Sequence, residues 1–319
     1  MLRKLLPSKS TLYKCSCNKH IAFLGLGNMG GSMAVNLAKA GSHLHVYDIN
    51  KRNVETILDQ AKDFKMDVLN DISDINKNQD ISTVILMLPS SKETVKVIES
   101  PSGILHELKP KSLIVDCTTG DINTAKRIGD LVKNKGSVYV DAPVSGGVNG
   151  AKNATLTFMV GIDDKESSLV DPILKTMGKN IFYCGDTGLG LAAKICNNMM
   201  LAISMIGLSE SLELGRRLGL DLKAISSIIN ASSGRSWASD VYNPVPGVME
   251  NVPSCNDYNG GFQVALMTKD LALAQEASNS VKSPTPLGSL SYQMYNLLNQ
   301  KGLDKKDFSV IYDYLKASN

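Results

Sequence analysis

Three glycines in the pattern G-x-G-x-x-G, Gly25-Leu26-Gly27-Asn28-Met29-Gly30, end the apolar run HIAFLG and open the helix-like segment NMGGSMAVNLAKAG. In this setting of strand, turn and helix each glycine has its own physical reason. Gly25 permits a tight turn, Gly27 lets the backbone approach a pyrophosphate, and Gly30 allows the helix to lie close to the strand. The phosphates would sit at the helix N-terminus, where unpaired N–H groups and the macrodipole favour an anion. Asp48 follows Gly30 by 18 residues and ends the next apolar run, HLHVYD. A carboxylate there can accept from the adenosine ribose hydroxyls and repels a 2′-phosphate, so the pair reads as a site for NAD rather than NADP. Lys51 and Arg52 could soften that preference, although both suit a solvent-facing helix start equally well.

A second pair is less expected. Lys194 and Asn198 stand four apart in DTGLGLAAKICNNMMLAISMIGLSESLELGRRLG, a proline-free stretch from Asp186 to Gly219 that is apolar on almost every side. Four residues apart on a helix is one turn on one face. An ammonium and an amide entering an apolar rod either reach solvent, as a snorkelling lysine and an ordinary surface amide would, or face a site. Further candidates end apolar runs: Leu88-Pro89 after STVILMLP and Thr118-Thr119 after SLIVDCT. The carboxyl ends of parallel strands are where ligands bind in doubly wound sheets. Loop punctuation explains these residues as well as a cofactor wall does.

The elements that must position these groups follow from the patterning. Residues 20–150 alternate strand-like and helix-like segments, with strands at 20–25, 43–48, 82–89, 112–118 and 137–144. Helices are expected after the glycine turn, at KRNVETILDQAK and at about 121–134. Strands TLTFMVG (155–161) and NIFYCG (180–185), flanking a helix from about Lys165 to Met177, close this part. Unbroken apolar strands alternating with helices give βαβ units and a Rossmann-type, doubly wound α/β sheet domain. Beyond Gly188 the pattern is helical only, with segments at 221–233, 269–281, 287–302 and about 308–316, so an all-α C-terminal domain is expected. The division expected is a leader over 1–19, an NAD-binding domain over 20–185 and a helical substrate and dimerisation domain over 186–319. The long segment from Asp186 to Gly219 joins the two. Asp186 or Thr187 can cap its start and Gly219 can end it.

The 319 residues suffice for two domains and a sizeable core. With 43% apolar and 20% charged residues the chain is an ordinary globular mixture. The formal charge of +3 is unevenly placed. Arg3, Lys4, Lys9, Lys14 and Lys19 lie in the first nineteen residues and no acidic residue precedes Asp48. Beyond residue 19, 29 basic side chains face 31 acidic ones, so the body offers no charge argument for nucleic acid. The leader MLRKLLPSKSTLYKCSCNKH is basic, rich in hydroxyls and free of acid, the composition of a mitochondrial transit peptide. No unbroken run of 18 apolar residues occurs, so no membrane span is expected. Of six cysteines, Cys15 and Cys17 fall in the leader. Cys117, Cys184, Cys196 and Cys255 are far apart, show no zinc spacing and read as reduced thiols. No metal site is assigned.

Asp141-Ala142-Pro143-Val144-Ser145-Gly146-Gly147, taken with GLGNMG, AAKICNN and the TKD segment at 268–270, resembles the β-hydroxyacid dehydrogenase family. The match is nearest to its 3-hydroxyisobutyrate-oxidising branch, covers about residues 20–316 and extends to SSGRSW, YNPVPGVM and KDFS. The resemblance implies that Ser145, Gly146 and Gly147 bind the substrate carboxylate. A hydroxyl beside two backbone N–H groups without a Cβ agrees with that role. It further implies that Lys194 is the catalytic lysine with Asn198 its companion amide. Leu88, Pro89, Thr119 and Lys269 would contact cofactor, Phe262 would lie against the nicotinamide region and Asp270 near the substrate. One departure stands out. Glu93 fills a position where the family often has Asn, and a carboxylate cannot donate a hydrogen bond, so Glu93 is left out of the site.

The activity so implied is NAD-dependent oxidation of 3-hydroxyisobutyrate to methylmalonate semialdehyde, a step of valine breakdown, in the mitochondrial matrix. Lys194 would take the hydroxyl proton as hydride leaves for the nicotinamide. An unperturbed lysine, with a pKa of about 10.4, is a poor base at neutral pH, and burial would lower it. Family members form homodimers and homotetramers, so a homo-oligomer acting on a small 3-hydroxy acid is expected, with neither nucleic acid nor membrane as partner. The alternatives are an NADPH-dependent reductase of glyoxylate or succinic semialdehyde, against which Asp48 argues, and a catalytically silent dinucleotide-binding scaffold.

Overall fold

The computed structural model describes residues 20–317, so the leader with Cys15 and Cys17 lies outside the described residues. The first part of the chain runs through β1 (His20–Leu24), α1 (Gly30–Lys39), β2 (His43–Tyr47), α2 (Lys51–Gln60), β3 (Met66–Val68) and α3 (Asp74–Lys77). It continues through β4 (Ile81–Leu86), α4 (Ser91–Glu99), β5 (Leu113–Asp116), α5 (Ile122–Asn134) and β6 (Val138–Asp141). The six strands form one parallel sheet in the order β3-β2-β1-β4-β5-β6. That is the doubly wound order in which the chain reverses direction beside β1, leaving a crevice at the carboxyl ends of β1 and β4. Both faces are covered. Ile21, Phe23, Val46 and Ile85 pack on one side, Ala22, Leu24, Val84 and Leu86 on the other. Each large apolar side chain so buried contributes about 1.5–3 kcal/mol, enough together to fix where every strand ends.

Pro143 corrects the reading of 137–144 as one strand. It has no N–H for a ladder, and the chain leaves the main sheet after Asp141. β7 (Val144–Ser145) pairs antiparallel with β8 (Leu156–Val160), and β8 pairs parallel with β9 (Gly178–Tyr183) in a separate three-stranded sheet. The strands at 155–161 and 180–185 therefore belong to this second sheet. α6 (Gly147–Lys152) links β7 to β8. The single helix expected from Lys165 to Met177 is a 3-10 segment, Asp164–Leu169, followed by the short α7 (Asp171–Leu174). Pro172 sits in the first turn of α7 and cannot donate to an i−4 carbonyl.

From residue 189 on, the described chain is helical: α8 (Leu189–Arg217), α9 (Leu222–Ala231), α10 (Trp237–Val241), α11 (Val264–Ser280), α12 (Pro286–Gln300) and α13 (Ile311–Ala317). They enclose a core that includes Met205, Leu212, Met267, Tyr295, Phe308 and Tyr312. The 29 residues of α8 span about 43 Å. Leu191 joins the core beneath the sheet, whereas Ala202 onward joins the helical core, so one helix runs through both. The helix is long and apolar enough to cross a membrane, with a mean hydropathy of 1.5 over its best window. Nearly half of that window is buried within the protein. It is not buried all round: Met200 is 61% and Leu214 60% exposed. Gly219, at φ 88°, stops it as expected. Leu220 N–H donates to Gly215 carbonyl at 2.9 Å and Gly219 N–H to Arg216 carbonyl at 3.1 Å, the paired bonds of a Schellman cap.

Candidate functional site

The glycine turn has the shape its spacing predicts. Gly25 takes φ 94°, and a Cβ there would lie 2.2 Å from Met87 carbonyl oxygen. At Gly30 a Cβ would lie 1.9 Å from Gly25 carbonyl oxygen, so only glycine lets α1 start this close to β1. Gly27 is the opposite case: a Cβ would meet nothing within 4 Å. The turn is thus closed toward the protein at Gly25 and Gly30 and open outward at Gly27, with the first turn of α1 above it. That is the shape a pyrophosphate needs. Leu26, Asn28 and Met29 complete the turn.

Asp48 does more than the spacing suggests. Its Oδ2 accepts from Leu26 N–H at 2.6 Å and its Oδ1 from Asn50 N–H at 2.7 Å. It therefore ties the end of β2 to the glycine turn. A carboxylate has about four lone-pair sites, so two remain for sugar hydroxyls.

The ends of β4 and β5 are joined by a chain of hydrogen bonds. Leu88 N–H donates to Thr118 Oγ1 at 3.0 Å, Thr118 N–H to Asp116 Oδ1 at 2.9 Å, and Tyr139 O–H to Asp116 Oδ2 at 2.8 Å. Burial pushes the Asp116 carboxyl up against the pull of these donors. Lys269, on α11, reaches the same place. Its Nζ donates to Thr119 carbonyl at 2.9 Å and to Pro89 carbonyl at 3.3 Å. Leu88, Pro89, Thr119 and Lys269 are thus brought together as one wall.

Lys194 and Asn198 do not reach solvent. They are 7% and 2% exposed, on the face of α8 turned toward α11. Asn198 donates from Nδ2 to Asp270 Oδ2 at 2.5 Å and accepts at Oδ1 from Asn197 Nδ2 at 3.0 Å. Asp270 is 3% exposed, and its other oxygen, Oδ1, is buried without a hydrogen-bond partner, with Lys269 Nζ at 3.5 Å. Among the described residues none hydrogen-bonds to the Lys194 amine. Burial holds its pKa below the ordinary lysine value; Asp270 pulls the other way and Lys269 adds to the lowering. A buried amine and a buried carboxylate oxygen, each short of partners, are groups set up to meet a polar ligand.

Ser145 ends β7, and Gly146 and Gly147, at φ 132° and 62°, turn the chain into α6. Both glycines are exposed, and a Cβ on Gly147 would meet nothing within 4 Å. Ser145 pairs with Thr157 on β8, the strand against which α8 packs. Phe262 makes its hydrogen-bond and ring contacts within the helical part. Its N–H donates to buried Asp307 Oδ2 at 2.7 Å, and its ring meets Phe308 edge-on at 6.0 Å within the helical core. Glu93 is engaged locally, accepting from Ser90 Oγ at 2.5 Å at the start of α4.

Sequence reasoning missed the residue that anchors the whole arrangement. Neither Asp186 nor Thr187 caps α8. The cap position is Gly188, at φ 94° and without a side-chain bond. The free N–H groups go instead to Asp141 at the end of β6: Gly188 N–H to Oδ1 at 2.7 Å and Leu191 N–H to Oδ2 at 2.8 Å. Gly190 is required beside it, since a Cβ would lie 2.3 Å from Met159 carbonyl oxygen. The one signal was an acidic residue ending an apolar strand immediately before the motif Ala142-Pro143.

Comparison with known proteins agrees with this geometry. Residues 20–185 match a family model described as the NAD binding domain of 6-phosphogluconate dehydrogenase. Residues 188–315 match one described as NAD-binding of NADP-dependent 3-hydroxyisobutyrate dehydrogenase. The human protein named 3-hydroxyisobutyrate dehydrogenase, mitochondrial, is 45% identical over 98% of this chain and 93% of its own length. A Pseudomonas aeruginosa protein named NAD-dependent L-serine dehydrogenase is 43% identical over 92% of this chain and 96% of its own. The solved structure titled Mycobacterium tuberculosis 3-hydroxyisobutyrate dehydrogenase with L-serine superposes with a TM-score of 0.85 at 36% identity. It covers 94% of this chain and 99% of that one. The chain is therefore an NAD-binding oxidoreductase and belongs to the 3-hydroxyisobutyrate dehydrogenase-like branch of the NAD(P)-dependent β-hydroxyacid dehydrogenases.

Proposed function

We propose that this enzyme oxidises 3-hydroxyisobutyrate to methylmalonate semialdehyde with NAD⁺ as acceptor, as in valine breakdown. The observation that carries the reading is Lys194, a buried amine with a lowered pKa and no hydrogen-bond partner among the described residues. NAD⁺, when bound, supplies the hydride acceptor. In this reading Ser145 Oγ and the backbone N–H groups of Gly146 and Gly147 hold the substrate carboxylate. Lys194 Nζ, neutral before the reaction, accepts the hydroxyl proton as the C–H bond breaks. Asn198, fixed by Asp270, orients the substrate beside Lys194. Gly25 to Gly30 and Asp48 hold the dinucleotide, with Leu88, Pro89, Thr119, Lys269 and Phe262 as its further contacts.

The leader over 1–19 is read as a mitochondrial targeting segment, in keeping with the name of the human relative. In the same reading, 20–185 is the NAD-binding unit and 186–319 the helical substrate and dimerisation unit. The exposed Met200, Leu214 and Trp237 on the helices suit a homodimer or homotetramer. L-serine is a second substrate to be weighed, because the Pseudomonas relative is named for it. It too is a primary alcohol two bonds from a carboxylate. NADH production with (S)-3-hydroxyisobutyrate and with L-serine, and with NADP⁺ in place of NAD⁺, decides among these readings. The proposal requires the highest kcat/KM for 3-hydroxyisobutyrate with NAD⁺. A higher value for L-serine, or for NADP⁺, overturns the corresponding part.

A further inference from the structure

Three of the four histidines of the chain meet at one point, far from the groups described above. His20 stands at the start of β1, and His43 and His45 lie on β2. His20 pairs in register with His43, while His45 pairs with Asp67 on β3. His43 and His45 are two apart on one strand, so both project from the same face of the sheet. The three rings stack with centroids 4.4, 4.8 and 5.1 Å apart. His20 Nδ1 lies 2.9 Å from His45 Nε2. One nitrogen from each ring falls within 4.8 Å of the others. Asp67 Oδ2 backs the cluster, at 2.8 Å from His43 Nε2 and 3.6 Å from His45 Nδ1.

His20 Nδ1 and His45 Nε2 hydrogen-bond to each other, and His43 Nε2 hydrogen-bonds to Asp67. Three imidazoles cannot all be charged at such distances. Burial and the neighbouring His43 and His20 disfavour protonation of His45, against the pull of Asp67 and Asp80. Neutral imidazoles facing one another are what a divalent transition metal takes as ligands. A tetrahedral Zn²⁺ with bonds of about 2.0–2.1 Å holds its nitrogens about 3.3 Å apart. The pair at 2.9 Å and the limit of 4.8 Å bracket that separation. A carboxylate on the far nitrogen of a ligating histidine is also the usual device that fixes its ring and tautomer, and Asp67 stands there for His43 and His45.

We propose that His20, His43 and His45 form a binding site for one first-row divalent cation of the Zn²⁺ class, with Asp67 orienting two of the three rings. The site clamps β1 to β2 at the amino ends of the strands. The dinucleotide turn follows the carboxyl end of β1, five residues on and about 17 Å away, so the cation takes no part in hydride transfer.

The test is calorimetric titration of the chelator-treated full-length protein with ZnCl₂ at pH 7.5, with Co²⁺ absorption as a second readout. One equivalent is expected to bind with a micromolar or tighter Kd, to raise the thermal midpoint and, for Co²⁺, to give visible d–d bands. At pH 5.5 affinity should fall at least tenfold, because protons compete with the metal for imidazole nitrogens. His20→Gln and His43→Gln should each weaken binding at least tenfold and leave NADH production unchanged. Cys15→Ser with Cys17→Ser should leave binding intact. Absence of saturable binding, indifference to both histidine substitutions, or loss of the ion with the two cysteines would overturn the proposal. The partly exposed His20 and His43 are chosen because substitution of buried His45 risks the fold itself.

Discussion

At the scale of single residues, Lys194 sets two opposed demands. The proposed base for an alcohol works in its neutral form, and burial shifts Lys194 in that direction by disfavouring the ammonium, against the pull of Asp270. Lys194→Ala is expected to lower kcat by about 10²- to 10⁴-fold, the usual worth of a positioned acid–base group, with native circular dichroism as the control for folding. The pH profile should share this origin. Alcohol oxidation should fall as pH drops through the lowered lysine pKa, and Lys194→Arg should not restore it. The same burial costs stability. Between the folded pKa and the unfolded value the unfolded chain binds the extra proton, so stability rises with pH across that window. Below the folded pKa the whole penalty is present, about 1.4 kcal/mol per unit of lowering. Lys194→Met should therefore be inactive yet more stable than the parent at pH 7 in urea unfolding. The glycines offer a companion comparison. Gly27→Ala adds a methyl into open space, so the thermal midpoint should hold while KM for NAD⁺ rises at least tenfold. Gly30→Ala collides with Gly25 carbonyl and should lose both.

At the scale of elements, the site depends on where α8 begins. The two N–H groups received by Asp141 are the link between the end of the parallel sheet and the helix that carries Lys194. Asp141→Ala leaves those groups buried without an acceptor, at about 1–3 kcal/mol. A drop in the urea midpoint together with lower kcat is expected. Asp141→Asn, which keeps one acceptor oxygen, should fall between. This anchor also shows what sequence could and could not reveal. The βα alternation, the glycine turn, Asp48 and the Schellman stop at Gly219 were legible, because each depends on residues near in sequence. Pro143 and Pro172 broke two expected elements, and their local effect was there to be read. Asp141 was not legible as a cap, because its partners lie 47 and 50 residues away. The histidine cluster was hidden for the same reason: His20 meets His43 and His45 only through strand pairing.

At the scale of the molecule, the sheet and the helices must hold a fixed relation for a dinucleotide on one to meet an alcohol beside the other. α8 provides one connection. Another is Lys269, whose side chain leaves α11 and donates to the carbonyls of Pro89 and Thr119 at the ends of the β4 and β5 segments. It is only partly exposed, so these charge-assisted bonds are less screened than a surface pair, at about 1.5–3 kcal/mol in all. The same ammonium lies 3.5 Å from Asp270 Oδ1, which joins the proposed cofactor wall to the groups around Lys194. Lys269→Met keeps the stem and removes all three interactions. Hydrogen exchange should then speed up at the amides of Leu88 to Thr94 and Thr118 to Asp121, while the core strands β1 and β4 keep their protection. KM for NAD⁺ should rise several-fold with a smaller change in kcat, because the wall is loosened and the base is left in place. Lys269→Arg should recover most of the affinity, since a guanidinium can still donate to both carbonyls. If exchange at those two loops were unchanged in Lys269→Met, the wall would be held by Thr118 and Asp116 alone, and Lys269 would act only on the dinucleotide.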